Sequence, residues 1–309
     1  MTGTPCSCTG PLHDFTSHLR ARYGRRVAKV GLSLRIPCPH RGEHPPGCLY
    51  CHPHHAPSNQ GQESVLGQFA RNRERVMARY GTDLVLAYFQ DETSTAAPPD
   101  VLCAAFSPVM ADPAVVGLVV STRPDCVDDG VLSLLADLQQ RHGKPLWLEM
   151  GLQSCNDETL RAINRGHDAA CFAHAARRAH DLGLKVGAHT MLGLPGEGVA
   201  DMVATHRFLA GLPVDTVKMH HVQVYGGTGF AKLYGEGKLK VFRDVDDYID
   251  HLLPVLSALP WEIKVQRVIT DGKLHILVAP RFGVTKNQAL ARLFERMARE
   301  GVRQGDDYR

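Results

Sequence analysis

Three observations predict an α/β chain folded as a partial (β/α)6 barrel of the TIM type, with an amino-terminal arm and a small carboxyl-terminal α+β extension. Short apolar, β-branched runs alternate with helical stretches over most of the chain. There are six such runs, too few to close an eight-stranded barrel. The helices between them impose parallel pairing with helical crossovers. The expected organisation is an arm over residues 1–25, a barrel over 26–240 and a cap over 241–309.

The strands are expected at Val27–Ile36, Leu84–Phe89, Val115–Ser121, Leu146–Met150, Leu184–Met191 and Val214–Tyr225. Helices fall between them at about Ser64–Tyr80, Pro98–Met110, Val127–His142, Asp168–Leu182 and Val199–Ala210. Val131, Leu134, Leu135 and Leu138 have the i, i+3, i+4, i+7 spacing of one buried helix face. Beyond residue 240 the pattern gives an acidic helix (Val245–Leu259), two short strands (Trp261–Ile269, Leu274–Val278) and a last helix (Lys286–Glu300). Leu290, Leu293, Phe294 and Met297 form the buried stripe of that helix, and Arg292, Arg296 and Arg299 a basic face. Catalytic groups of such a barrel belong at the carboxyl ends of its strands.

Composition narrows the classes. The 309 residues are 44% hydrophobic and 22% charged, which excludes disorder, collagen and coiled coil. A chain of this size buries about three quarters of its unfolded surface without staples. No apolar run is long enough to span a bilayer, and the first residues lack the charged-then-apolar pattern of a secretory signal. A cytoplasmic location is expected. Residues 1–80 carry eleven Lys and Arg against Asp14, Glu43, Glu63 and Glu74, a net of +7 within a chain of +3. This basic quarter suits either a phosphate-bearing partner or a solvated helix face with an exposed arm.

Nine cysteines, an odd number, argue against a disulfide framework. Cys38, Cys48 and Cys51 form a C-x9-C-x2-C pattern in a loop rich in Pro and Gly, directly after the first strand. Such a loop forms no helix but can wrap three thiolates around an inorganic centre. A zinc site would need a fourth ligand from His40, His44, His52, His54 or His55. A [4Fe–4S] cluster held by three cysteines would leave one iron open to an external ligand. The spacing alone fits both. Cys6 and Cys8 could bind a metal from the terminus, and Cys103, Cys155 and Cys171 share no ligand-like spacing. No phosphate-binding G-x4-G-K-[ST], H-E-x-x-H or G-x-S-x-G motif occurs.

The cysteine loop after strand one, with Tyr50 just before the third cysteine, resembles the radical S-adenosylmethionine (SAM) superfamily. More narrowly, the chain is similar to the YhcC-type members, relatives of the elongator-complex radical-SAM subunit. The segments that carry this likeness are Tyr88–Thr95, Ser121–Cys126, Glu149–Ser154, Asp157–Leu160, Ile163–Asp168 and Leu192–Glu197, with a further run from Gly226 to Val241. Together they span roughly residues 13–280 in the same order.

The resemblance implies that Cys38, Cys48 and Cys51 bind a [4Fe–4S] cluster, and that the methionine end of SAM chelates the fourth iron. One-electron cleavage of SAM would then give a 5′-deoxyadenosyl radical that abstracts hydrogen. It implies SAM contacts from Tyr50, Gln90, Thr93, Ser94, Arg123, Glu149, Gln153, His189 and Gly193. The chain departs from the family at Ser94, where Asn is usual, and in its acidic Asp91–Glu92 pair. An N-cap role competes for Thr93–Thr95. Glu149 stands in an otherwise apolar strand and needs partners: ribose hydroxyls, the SAM ammonium, or an internal ion pair with Arg123 or Lys218. Cys126, His220 and His221 are candidate substrate contacts, against structural roles for each.

The family also implies RNA as substrate, in modification of the wobble uridine of tRNA, and an electron donor such as flavodoxin or ferredoxin. No recognisable RNA-binding module accompanies that implication, and aromatics for base stacking are few. A small metabolite or a protein side chain is the alternative substrate. A zinc-stabilised nucleic-acid-binding protein without catalysis is the alternative of another class.

Overall fold

The computed structural model describes residues 10–41, 47–52, 63–270, 272 and 275–308. Asp14 accepts a hydrogen bond from Ser17 N at 2.7 Å and so starts helix α1 (Phe15–Tyr23), which ends at Gly24 in the left-handed conformation. The stretch expected as an exposed arm therefore contains a helix, and its Phe15 and Leu19 are buried. Strand β1 (Ala28–Leu32) stops four residues short of the expected end. Gln68, on helix α2 (Val65–Tyr80), accepts from Ser33 N at 2.9 Å and donates to Ser33 O at 3.1 Å. That side-chain amide replaces a ladder partner and leads the chain out of the sheet into the cysteine loop.

The alternation then proceeds as expected through β2 (Val85–Phe89), α3 (Pro99–Ala111), β3 (Val115–Thr122), α4 (Asp129–His142) and β4 (Leu146–Gln153). A short helix, α5 (Asp157–Ala162), precedes α6 (Ala169–Asp181), β5 (Lys185–Leu192) and α7 (Val199–Ala210). The expected strand Val214–Tyr225 is two: β6 (Thr216–His221) in the main sheet, and β7 (Val224–Tyr225). Helix α8 (Gly229–Gly235), capped by the Thr228 hydroxyl, lies in the run from Gly226 to Val241, where the sequence pattern assigns no element. Helix α9 (Val245–Ser257), β8 (Lys264–Arg267), β9 (Leu277–Ala279) and α10 (Lys286–Glu300) complete the chain. Strand β9 pairs antiparallel with β7.

The main sheet has the order β1-β2-β3-β4-β5-β6-β8, parallel throughout, and curls into a half-barrel. It contains one strand more than the six expected, because β8 leaves the carboxyl-terminal stretch to pair with β6. On its free side β8 meets residues 13 and 14: Val265 N donates to His13 O at 2.8 Å. Between sheet and helices lies the main core, where Phe89 meets Phe106 edge-on at 4.7 Å. Inside the curl, Phe15 and Leu19 of α1 pack with Leu86, Val119 and Trp147. In α10 the buried stripe is Ala289, Leu293 and Met297, while Phe294 is exposed.

Phe89 lies at the strand end that leads into the site, and both it and Phe106 are fully buried. Phe89→Ala should cost about 3–5 kcal/mol of unfolding free energy in denaturant titrations; a cost below about 1 kcal/mol would show that this contact does not hold β2 in place.

Candidate active site

A cleft opens at the carboxyl ends of β1 to β5. It is lined by Cys38, Cys48 and Cys51 from the cysteine loop, and by Gln90, Thr93, Arg123, Gln153 and His189 from the strand ends. The loop's path is fixed by four contacts to the turn after α5. Leu49 N donates to Ile163 O at 2.9 Å, and Asn164 Nδ2 to Gly47 O at 2.7 Å. His40 Nε2 meets Asn164 O at 2.8 Å, and Arg165 Nη1 donates to Cys48 Sγ at 3.6 Å. The turn is possible because Asn164 and Gly166 take positive φ, and a Cβ at Gly166 would strike the His40 ring at 2.5 Å.

On the other side of the loop, Glu92 accepts from Cys38 N at 2.9 Å and pairs with Arg41 at 3.2 Å. The acidic residue that departs from the family pattern is thus a brace for the first cysteine. The Cys48 thiol is drawn down to about 4, first by its hydrogen bond with Cys51 and then, against burial, by Arg165. Cys51 is pushed upward by the same pairing and by burial. Tyr50 packs on Phe230 with ring centroids 5.8 Å apart.

Arg123 is held in the cleft wall by a two-pronged pair with Asp125, at 2.9 and 2.7 Å, and it donates to Arg165 O at 3.1 Å. Its Nη1 and the Thr93 hydroxyl are buried without a partner among the described residues. Such groups are costly unless something meets them. Gln153 sits at a register irregularity between β4 and β5, with φ 78°, a conformation that strains a residue with a side chain. Ser94 turns away to bond Asp91 O at 3.2 Å, and Thr95 bonds Thr122 Oγ1 and Cys126 O at 2.6 Å. An N-cap role for Thr93–Thr95 does not occur, since α3 begins at Pro99.

Glu149 does not line the cleft. It is completely buried, and its carboxylate is taken by Lys218 at 2.8 Å, His189 at 2.9 Å, Gln266 at 2.7 Å and Lys29 at 3.5 Å. Of the partners expected for it, the structure shows the internal ion pair with Lys218, which Tyr88 extends at 2.6 Å. Burial favours the neutral acid, but Lys218 and Lys29 overcome it and hold Glu149 well below its usual range. Burial pushes His189 down to about 4. Its neutral ring faces an acceptor-only carboxylate, so the proton is on Nε2 and Nδ1 is an acceptor.

Other candidates are dispersed. Gly193 lines a separate cavity beside Phe242, Lys240 and His251. His220 is bonded to Thr270 at 3.1 Å behind His189, and His221 is packed between the Tyr248 and Phe282 rings on the opposite face of β6. Cys126 is outside the cleft lining, with its thiol pushed up to about 11 by burial and by Asp125. The basic face of α10 is largely neutralised, Arg292 by Asp246 and Arg296 by Asp250 and Glu300. Cys6, Cys8, His44, His54 and His55 lie outside the described residues. The residue that sequence reasoning passed over is Arg165. It stands in the segment Ile163–Asp168, and nothing in the local pattern marks it as buried.

A model of the Radical SAM superfamily matches residues 38–209, more than half of the chain, and one of the Radical SAM C-terminal domain matches residues 214–299. The chain belongs to the radical SAM superfamily. It is a radical SAM enzyme, and its cofactors are a [4Fe–4S] cluster and SAM. The alternative of a non-catalytic zinc protein is thereby set aside. The chain is 36% identical to protein YhcC of Escherichia coli over 86% of this chain and 85% of that one. A more distant relative is a tRNA uridine(34) acetyltransferase of Methanocaldococcus infernus, 26% identical over 61% of this chain and 34% of the relative. The fold is shared with the solved Elp3 of the same archaeon, with a TM-score of 0.69 and 20% identity over 90% of this chain and 64% of that one.

The donor set suits these cofactors. Among the described residues no three His, Cys, Asp or Glu side chains close tightly enough around a single metal ion, whereas the three thiols share one cleft, as a larger cluster requires. Beside them, the unpartnered Arg123 Nη1 and Thr93 hydroxyl await a polar ligand. No described helix is long and apolar enough to cross a membrane.

Buried histidines and the Glu149 network make stability acid-sensitive in two windows. Burial pushes His189, His206 and His221 down to about 4. The unfolded chain therefore takes up protons first, and stability falls as pH drops from about 6.5 to about 4. Glu149, depressed by its lysines, contributes stability above its ordinary pKa that is lost below it. Urea titrations across pH should show both declines, and Glu149→Gln should remove only the lower one. An unchanged lower decline in that variant would contradict the network.

Proposed function

We propose that Cys38, Cys48 and Cys51 hold the [4Fe–4S] cluster, that the cleft beside them holds SAM, and that the enzyme acts on the wobble uridine of tRNA. The observation that carries the site assignment is the convergence of three thiols and two unpartnered buried polar groups on one cleft. When bound, the two cofactors supply one-electron cleavage of a sulfonium C–S bond and, through it, hydrogen abstraction from a substrate. The reducing electron comes from a donor such as flavodoxin or ferredoxin.

The chain's own residues position and shield. Arg123, fixed by Asp125, offers a guanidinium edge to a carboxylate, and Gln90 and Thr93 offer oxygen acceptors to an ammonium. Gln153 offers an amide to hydroxyl groups in the same space, and His189 Nδ1 one more acceptor. Tyr50 and Phe230 keep water from the apolar side of the loop. The tRNA reading is supported by the relative that modifies tRNA uridine and by the basic charge of residues 1–80.

Cys38→Ala, Cys48→Ala and Cys51→Ala should each abolish iron and labile sulfide after anaerobic reconstitution, while Cys103→Ala should retain both. Equal iron in all four would defeat the assignment. Nucleoside mass spectrometry of tRNA from a deletion strain should show a precursor of a modified wobble uridine accumulating. An unchanged nucleoside profile would turn the substrate reading towards a small metabolite or a protein.

A further inference from the structure

Arg165 is 5% exposed, yet no carboxylate pairs with it among the described residues. Its Nη2 donates to Gly151 O at 2.7 Å, its Nη1 to Cys48 Sγ at 3.6 Å, and its Nε has no partner among the described residues. The neighbouring arginines differ: Arg41 is balanced by Glu92, and Arg123 by Asp125. A buried guanidinium facing only a neutral carbonyl is costly, so a counter-anion is required. Among the described residues two groups that can turn anionic, Tyr50 and Cys48, interact with it, and burial keeps the Tyr50 phenol neutral, so the group that can become that anion is the Cys48 sulfur.

The chain leaves room for the other prong of the guanidinium. A Cβ at Gly151 would come within 2.7 Å of Arg165 Nη2. The Arg165 carbonyl is itself held by Arg123 Nη2 at 3.1 Å and accepts from the Cys48 thiol at 3.8 Å, so backbone and side chain of one residue both hold the same sulfur.

We propose that Arg165 is the positioning residue that sets the redox potential of the cluster, as the fixed counter-charge and N–H···S donor to Cys48. The proposal rests on the assignment of Cys48 as a cluster ligand made above. Reduction makes a cluster one unit more negative. A fixed cation and a hydrogen bond to a ligand sulfur therefore favour the reduced form and raise the potential. Without Arg165 the same electron donor would reduce a smaller fraction of the enzyme.

The test is an EPR-monitored redox titration of the anaerobically reconstituted full chain, without SAM, on wild type, Arg165→Gln and Arg165→Lys, with iron and sulfide measured on each. Arg165→Gln should keep its cluster, and its ratio of reduced to oxidised cluster at a fixed potential should fall about tenfold, a negative shift of about 59 mV for one electron. Arg165→Lys keeps the charge but loses the planar fork, and should shift the same way by less. A loaded Arg165→Gln with the wild-type midpoint would overturn the proposal, because a residue that only braces the loop moves content and not potential. If Arg165→Gln fails to fold, the loaded Lys variant decides: a negative shift supports the proposal and an unchanged midpoint overturns it. A wild-type chain that binds no iron and sulfide would overturn the ligand assignment together with it, a result distinct from equal midpoints.

Discussion

The site depends on a loop of Pro and Gly being held still, and the turn from Ile163 to Gly166 does this. The loop expected to form no helix has one 3-10 turn, Pro39–Arg41, as the regular element among its described residues, so its thiols are only as well placed as its anchors. The backbone pair Leu49–Ile163, the Asn164 amide on Gly47, His40 on the Asn164 carbonyl, and Arg165 on Cys48 supply anchors along one side. Glu92 supplies one on the other, at Cys38. The segments that follow three strands, β1, β2 and β4, thus meet on one small surface, the usual way an α/β barrel builds a site at its strand ends.

Beneath the cleft, Glu149 organises a second layer. Its carboxylate gathers groups from β1, β5, β6 and β8, so it links strands at both edges of the half-barrel. Lys29 of β1 also bonds Gln266 of β8, across the gap that an eight-stranded barrel would close with its own ladder. Side chains do here what backbone pairing does in a closed barrel, and the layer touches the cleft through His189 and Ser121. The arrangement fixes the tautomer of a residue in the cleft wall without exposing the carboxylate itself.

Much of this was legible in the sequence, and the exceptions have physical causes. The alternation from β2 to α7 is periodic enough to be read to within three residues at each end, apart from the short α5, whose single turn and a half carries no apolar period. Helix α1 was missed although Asp14 and Gly24 are its cap signals, because a short basic stretch with few apolar residues reads as an arm. The seventh strand reads as part of the cap, since pairing partners are not written in local periodicity. At the site, the cysteines, Thr93, Arg123 and His189 do share one cleft. Glu149 illustrates the limit: a lone carboxylate in an apolar strand announces that it has partners, but not whether they are cofactor or lysine. Arg165 illustrates another. Its importance lies in the absence of a described acidic partner, and an absence of that kind appears only in three dimensions.

The central claim is that three cysteines leave one iron of the cluster accessible in a cleft built for an amino acid end. Its most direct test is the EPR spectrum of the reduced, reconstituted chain before and after adding SAM. The account predicts a clear change of the cluster signal, because SAM would bind the iron that lacks a cysteine. Superimposable spectra at saturating SAM, from a preparation with a full complement of iron, would contradict it.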